Sequence, residues 1–116
     1  MMLYRQRDLL LVPVPFSDLT SRKIRPVVTL SNARYNREGP DLLVAGVTSN
    51  VSLRAYTVLL DTAQLEEGTM KYASVVRADK VFSIDQRIVP KRVGRVSEPT
   101  FERIHSQIRD LLADVS

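Results

Sequence analysis

Arg22-Lys23-Ile24-Arg25-Pro26-Val27-Val28-Thr29-Leu30 reads as a basic loop that runs straight into a short strand, opened by a proline that needs no ladder donor there. The same grammar continues on both sides. Leu9 to Phe16 is a leucine- and valine-rich run whose Pro13 and Pro15 suit an edge or a bend. Ser31 to Asp41, with Asn32, Asn36, Gly39 and Pro40, predicts a polar loop. Leu42 to Val47 is a near-continuous apolar strand, expected to be buried on both faces. Tyr56 to Leu60 predicts another strand, with Asp61-Thr62 starting a short helical turn closed by Gly68. Ser74-Val75-Val76, Lys80 to Ile84 and Val93 to Val96 add three more short strands. The period then changes. Ser97 is an N-cap candidate with Glu98 and Pro99 in the first turn, and Phe101, Ile104, Ile108, Leu111 and Leu112 form one apolar helical stripe. Many short strands and one terminal helix predict a mainly β fold, a small twisted barrel with a C-terminal α-helix packed on it.

Composition bounds the function. A chain of 116 residues, 44% hydrophobic and 26% charged, is expected to form a single domain over residues 1–116. With no cysteine it has no disulfide, thiol nucleophile or thiolate metal site, and its single histidine, His105, argues against histidine metal sites and a Ser/His/Asp triad. Arg5 and Arg7 before Leu9-Leu10-Leu11-Val12 imitate a signal peptide. The apolar run is too short and no small-residue cleavage site follows, so a cytoplasmic protein with no membrane association is expected.

The charge points to anionic partners. The formal net charge is +4, and 13 of the 17 basic residues are arginines, whose planar forks match phosphate. Arg22, Lys23, Arg25, Arg34 and Arg37 form one run without an acid, and Arg87, Lys91, Arg92 and Arg95 form another. Three stretches place polar groups at strand ends: Arg22–Pro26, Val44–Asn50 and Val75–Asp79. Taken singly each has a plain reading: Arg25 pairing with a surface acid, Thr48-Ser49-Asn50 forming a turn, Arg77 and Asp79 neutralising one another across one strand face. Together, in a small basic domain, they indicate an anion site. His105, on the border of the helical stripe, reads as a packing or surface residue.

The order of these stretches resembles the MazF/PemK (Kid) toxins of type II toxin–antitoxin systems over nearly the whole chain. Asp8-Leu9-Leu10-Leu11-Val12 with Pro15-Phe16-Ser17-Asp18-Leu19 is similar to the family's first strand and loop, and Arg25-Pro26-Val27-Val28-Thr29-Leu30-Ser31-Asn32 to its Arg-Pro motif. Tyr35-Asn36, Val47-Thr48-Ser49-Asn50, Ser74–Asp79, Ile84-Asp85 and Val93–Ser97 follow in the family's order. The resemblance implies an SH3-like small barrel of the MazF/PemK/CcdB type. It also implies a homodimer, a cognate antitoxin, and a cofactor-free, metal-independent endoribonuclease that cuts single-stranded mRNA through the ribose 2′-hydroxyl. Arg25, Thr48, Arg77 and Asp79 match the family's catalytic positions, and Arg22, Lys23, Ser49, Asn50 and Arg87 are the expected RNA contacts. Tyr35, Tyr56 and Phe82 offer faces for stacking on bases, although Tyr56 and Phe82 equally suit a core. Two departures are visible: Arg7 stands where a glycine usually precedes the first strand's acid, and Phe16 to Ile24 holds neither glutamate nor histidine. A rival within the same fold is a non-catalytic toxin that binds DNA gyrase. Those relatives depend on a tryptophan near the C-terminus, and this chain has none.

Overall fold

Alternation along the strands sends neighbouring residues to opposite faces, and both faces are used. A computed structural model describes residues 2–15, 22–52 and 55–115. Strands β1 (Asp8–Pro15), β2 (Arg22–Thr29), β3 (Asp41–Thr48), β4 (Thr57–Leu60), β5 (Leu65–Glu67), β6 (Ser74–Asp85) and β7 (Lys91–Val96) pair antiparallel in the order β4-β6-β3-β2-β1-β7-β5. The sheet curls into a nearly closed barrel, and the C-terminal helix α2 (Glu98–Leu112) packs on β4 and β6. Leu9, Val28, Ala45, Val47, Val58, Leu60, Val76 and Val96 form the core that receives Ile104 of α2. Leu10, Val12, Val27, Leu42, Val44, Ile84 and Val89 form a second core on the other face. Each fully buried leucine, valine or isoleucine among them stabilises the fold by about 1.5–3 kcal/mol. Among the described residues no helix is long and apolar enough to cross a membrane.

The expected barrel and terminal helix are present, with several corrections. Arg22 to Arg25 are not a loop: they lie within β2, where Val12 faces Arg25 and Leu11 faces Pro26. Pro26 is tolerated in mid-strand because pairing with β3 begins only at Val27. On β1, pairing with β7 stops at Leu11, so Pro13 and Pro15 fall where that side of the strand is unpaired. The Phe16 end of the expected first strand lies outside the described residues. Leu43 is partly exposed, so β3 is not buried throughout. The turn after β4 is a single 3-10 turn (Thr62–Gln64), capped reciprocally by Asp61 and Gln64, and β5 follows it before Gly68. Gly68 has φ +91°, and a Cβ there would lie 2.5 Å from the Val93 carbonyl oxygen, so β5 and β7 approach closely only with glycine.

Ser31 to Asp41 is not all loop. A short helix, α1 (Ala33–Glu38), is capped by Asn32, whose Oδ1 accepts from the Tyr35 N–H at 2.9 Å. Six residues cannot hold a helix alone, and a buried polar network does it. The Asn36 amide donates to the Ser31 carbonyl and accepts from Ser31 Oγ, while Gln86 Nε2 donates to the Asn36 carbonyl at 2.9 Å. On α2, Ser97 caps as expected and Ile104 is buried, but the apolar stripe outruns its partner: Leu111 is 37% and Leu112 79% exposed.

The largest surprise is β6, expected as two strands. It is one strand with a bulge: Gly46 faces Arg77 and Ala45 faces Val81, so Ala78, Asp79 and Lys80 are extra residues without partners on β3. An odd insertion reverses which side chains point to which face. Val76 is buried in the first core before it, whereas Phe82 and Ile84 reach the second core after it. The Tyr56 carbonyl, on a residue held at φ +54°, accepts the N–H of Ala78 at 2.9 Å.

Candidate nucleic-acid site

The register brings three strand positions into line on one face. Val27 of β2 faces Gly46 of β3, and Gly46 faces Arg77 of β6. Arg25 and Thr48 lie two residues away from this line on the same face, just beyond the paired stretch of β2 and β3. These residues border an open cavity of about 650 Å³, lined by Arg25, Gly46, Thr48, Arg77 and Lys80 over an apolar floor that includes Val14, Val27, Val47 and Phe82. Gly46 leaves the floor low between Val27 and Arg77, and a Cβ built on it would lie 3.6 Å from Lys80 Cβ.

Thr48, half-buried at the end of β3, begins a turn in which the Asn50 N–H donates to Thr48 Oγ1 at 3.2 Å. Its own hydroxyl hydrogen therefore remains to be donated to a ligand. Ser49 and Asn50 follow on the exposed turn, and Asn50 Oδ1 accepts from Ser52 Oγ at 2.5 Å. Arg77 and Asp79 form a bidentate pair, with Arg77 Nε donating to Oδ1 at 3.0 Å and Nη2 to Oδ2 at 2.6 Å. Those hydrogen bonds, opposed by partial burial and reinforced by the Arg77 and Lys80 charges, hold the Asp79 carboxyl below its ordinary range. The arginine is pushed further up by the same contact.

The structure thus gathers Arg25, Thr48 and Arg77 at one cavity, with Asp79 fixed to Arg77 outside the lining. Lys23 is exposed two residues before Arg25 on β2, and Arg22 has only its backbone among the described atoms. Arg87 is elsewhere. It lies in the 3-10 turn Gln86–Ile88 and pairs with Asp85, whose carboxyl it holds down at about 2 chiefly by their side-chain hydrogen bond.

The two basic runs do not survive folding as patches. Arg34 and Arg37 lie on α1, beyond the opposite end of β2 from Arg25, and Arg34 pairs with Glu38. Arg92 and Arg95 both bond to Asp8, which is only 2% exposed, and both also reach Glu67. Their role is to pair a buried carboxylate, whose loss of partners is costly. Of the proposed stacking residues, Phe82 lines the cavity, Tyr56 is half-buried beside the bulge, and Tyr35 is exposed on α1. His105 is exposed, 3.7 Å from Glu102. In the sequence Lys80 stands only as the start of an expected strand. In a regular strand it would point away from Arg77, and only the bulge brings both to one cavity.

Comparison with known proteins extends from site to whole chain. No curated protein matches the sequence. Among solved structures, MazE–MazF from Deinococcus radiodurans (Form III) superposes with a TM-score of 0.77 at 20% identity, covering 95% of this chain and 96% of that one. The Mycobacterium tuberculosis toxin MazF-mt6 gives 0.72 at 22% identity over 90% and 94%. An endoribonuclease in complex with its cognate antitoxin from a mycobacterial species gives 0.74 at 14% identity over 97% and 98%. At these identities the likeness is one of fold. The family model of the PemK-like, MazF-like toxins of type II toxin–antitoxin systems matches residues 5–112, and the chain belongs to that family.

Proposed function

We propose that the chain is the toxin of a toxin–antitoxin pair and acts as a metal-independent endoribonuclease on single-stranded RNA. The observation that carries this is the convergence of Arg25, Thr48 and Arg77 on one open cavity, with a carboxylate held on Arg77. Phosphodiester transfer to the neighbouring 2′-oxygen needs no protein nucleophile. It needs the phosphate fixed in line, charge on its oxygens stabilised, and a proton removed from the 2′-hydroxyl. Arg25 braces the phosphate with its planar fork, and Thr48 donates its hydroxyl to the same group. Arg77 stabilises the developing charge, and Asp79 accepts the 2′-hydroxyl proton as Arg77 turns to the phosphate. The products are a 2′,3′-cyclic phosphate and a 5′-hydroxyl. Three cations in the lining favour a polyanion and repel a divalent ion.

Lys23, Ser49 and Asn50 extend the contact along the RNA. Phe82 supplies an aromatic face in the cavity floor. The same basic cavity suits an acidic segment of a cognate antitoxin, consistent with antitoxin complexes among the structural relatives. A homodimer is supported by apolar surface left uncovered on adjoining elements: Leu111 and Leu112 on α2, and Leu59, 54% exposed, on β4.

The test is incubation of purified protein with single-stranded RNA in EDTA. Cutting with a cyclic-phosphate end supports the proposal. Intact RNA, with gyrase–DNA complexes trapped instead, would replace it by the gyrase-binding reading.

A further inference from the structure

The cavity contains one cation that the roles above leave unused. Lys80 lies within the β6 bulge and lines the cavity together with Arg25, Thr48 and Arg77. It is exposed, and among the described residues its ammonium has no hydrogen-bond or salt-bridge partner. Arg77, by contrast, is committed to Asp79 through two hydrogen bonds.

Resting on the endoribonuclease reading, we infer that Lys80 is the general acid, the group that gives a proton to the departing 5′-oxygen. The reaction moves two protons. As the 2′-oxygen bonds to phosphorus, its proton passes to the Asp79 carboxylate. As the bond from phosphorus to the 5′-oxygen breaks, that oxygen takes its electron pair and a proton from Lys80 Nζ. The enzyme is left with a neutral carboxyl and a neutral amine, and solvent restores both. Of the basic side chains in the lining, the arginines carry a delocalised guanidinium that holds its proton tightly, whereas a lysine ammonium is the better proton donor. A ribose alkoxide is far more basic than either and draws the proton from the better donor. The surrounding charges suit this division. Arg25 and Arg77 share the cavity with Lys80, and Asp79 precedes it in the chain, so the base and acid of one turnover lie on successive residues of the bulge. The apolar floor of Val14, Val27 and Phe82 offers the alkoxide few competing donors.

A sulfur leaving group decides the matter, because a thiolate departs without being protonated. A short RNA bearing the sequence cut by the wild-type protein is prepared with oxygen or with sulfur at the bridging 5′ position. Single-turnover rates are compared for wild type, Lys80→Ala and Lys80→Arg, after circular dichroism shows that the variants are folded. Binding is measured on a 2′-O-methyl analogue that cannot react. With oxygen, both variants are expected to lose about 10²–10⁴-fold in rate, and Lys80→Arg should bind as well as wild type. With sulfur, both variants should return to near the wild-type rate. Equal loss on the two substrates, or full activity of Lys80→Arg with oxygen, overturns the assignment and leaves the nuclease in place. A wild-type protein that cuts neither RNA removes both readings together.

Discussion

How RNA affinity depends on salt separates the charges that bind from those that only look available in the sequence. Nine bases fall in the two sequence runs, Arg22 to Arg37 and Arg87 to Arg95. If all nine met phosphates, log K would fall with log salt at a slope of about −6, taking about −0.7 per single-strand contact. Folding removes most of them from the count. Arg92 and Arg95 are spent on Asp8, while Arg34 and Arg37 on α1 and Arg87 on the Gln86–Ile88 turn lie away from the cavity lining. The cavity retains Arg25, Arg77 and Lys80, with Lys23 beside it on β2. Three to four contacts predict a slope between about −2 and −3. Arg25→Ala should flatten it by about 0.7, and Arg87→Ala should leave it unchanged. The assay is fluorescence anisotropy of a short 2′-O-methyl oligonucleotide across a salt series, so that no cutting intervenes. A slope near −6, or an Arg87→Ala effect as large as that of Arg25→Ala, would refute the placement of the site. A flat line would remove the site altogether.

Four further outcomes follow from the same geometry. Arg25→Ala should lower single-turnover cleavage by about 10²–10³ with a far smaller loss of affinity, Arg25→Lys should recover only part, and Thr48→Ser should outperform Thr48→Ala. Because Arg77 holds Asp79 ionised below the ordinary 3.8, protonation of this base should slow cleavage only as pH falls below that value; a rate lost already between pH 6 and 5 would point to a different base. Arg7 has φ +78° while its guanidinium bonds to Glu66 and to the Val96 carbonyl, so Arg7→Gly and Arg7→Ala both lose those contacts but only glycine relieves the backbone. Arg7→Gly should be the more stable of the two by about 1 kcal/mol, read by urea denaturation. Thr29 Oγ1 is buried without a partner among the described residues, and Thr29→Val should raise stability by about 1 kcal/mol, measured the same way.

The sequence makes charge visible and pairing invisible, and this divides what could be read from what could not. Strand alternation, the Ser97 cap and the start of the α2 stripe are local, and each appears where the residues predict it. Arg25, Thr48 and Arg77 were legible as polar groups at strand ends and as matches to the family's motifs, and the pairing of β2, β3 and β6 brings them to one cavity. The fate of Arg92 and Arg95 was not. Their partner Asp8 lies 84 and 87 residues away, and no local pattern announces a contact of that range. The α1 helix was hidden for a related reason: Asn36 and Gln86, 50 residues apart, hold a segment whose own composition favours a loop. Lys80 was hidden by geometry. Side-chain direction in a strand is a parity, and the three residues inserted in β6 reverse it once. Without the bulge, Arg77 and Lys80 would face opposite ways and the cavity would have lost one of its cations. The chain therefore specifies its site less by a motif than by a break in a period, placed opposite Gly46, where β3 has no side chain to fill the opening.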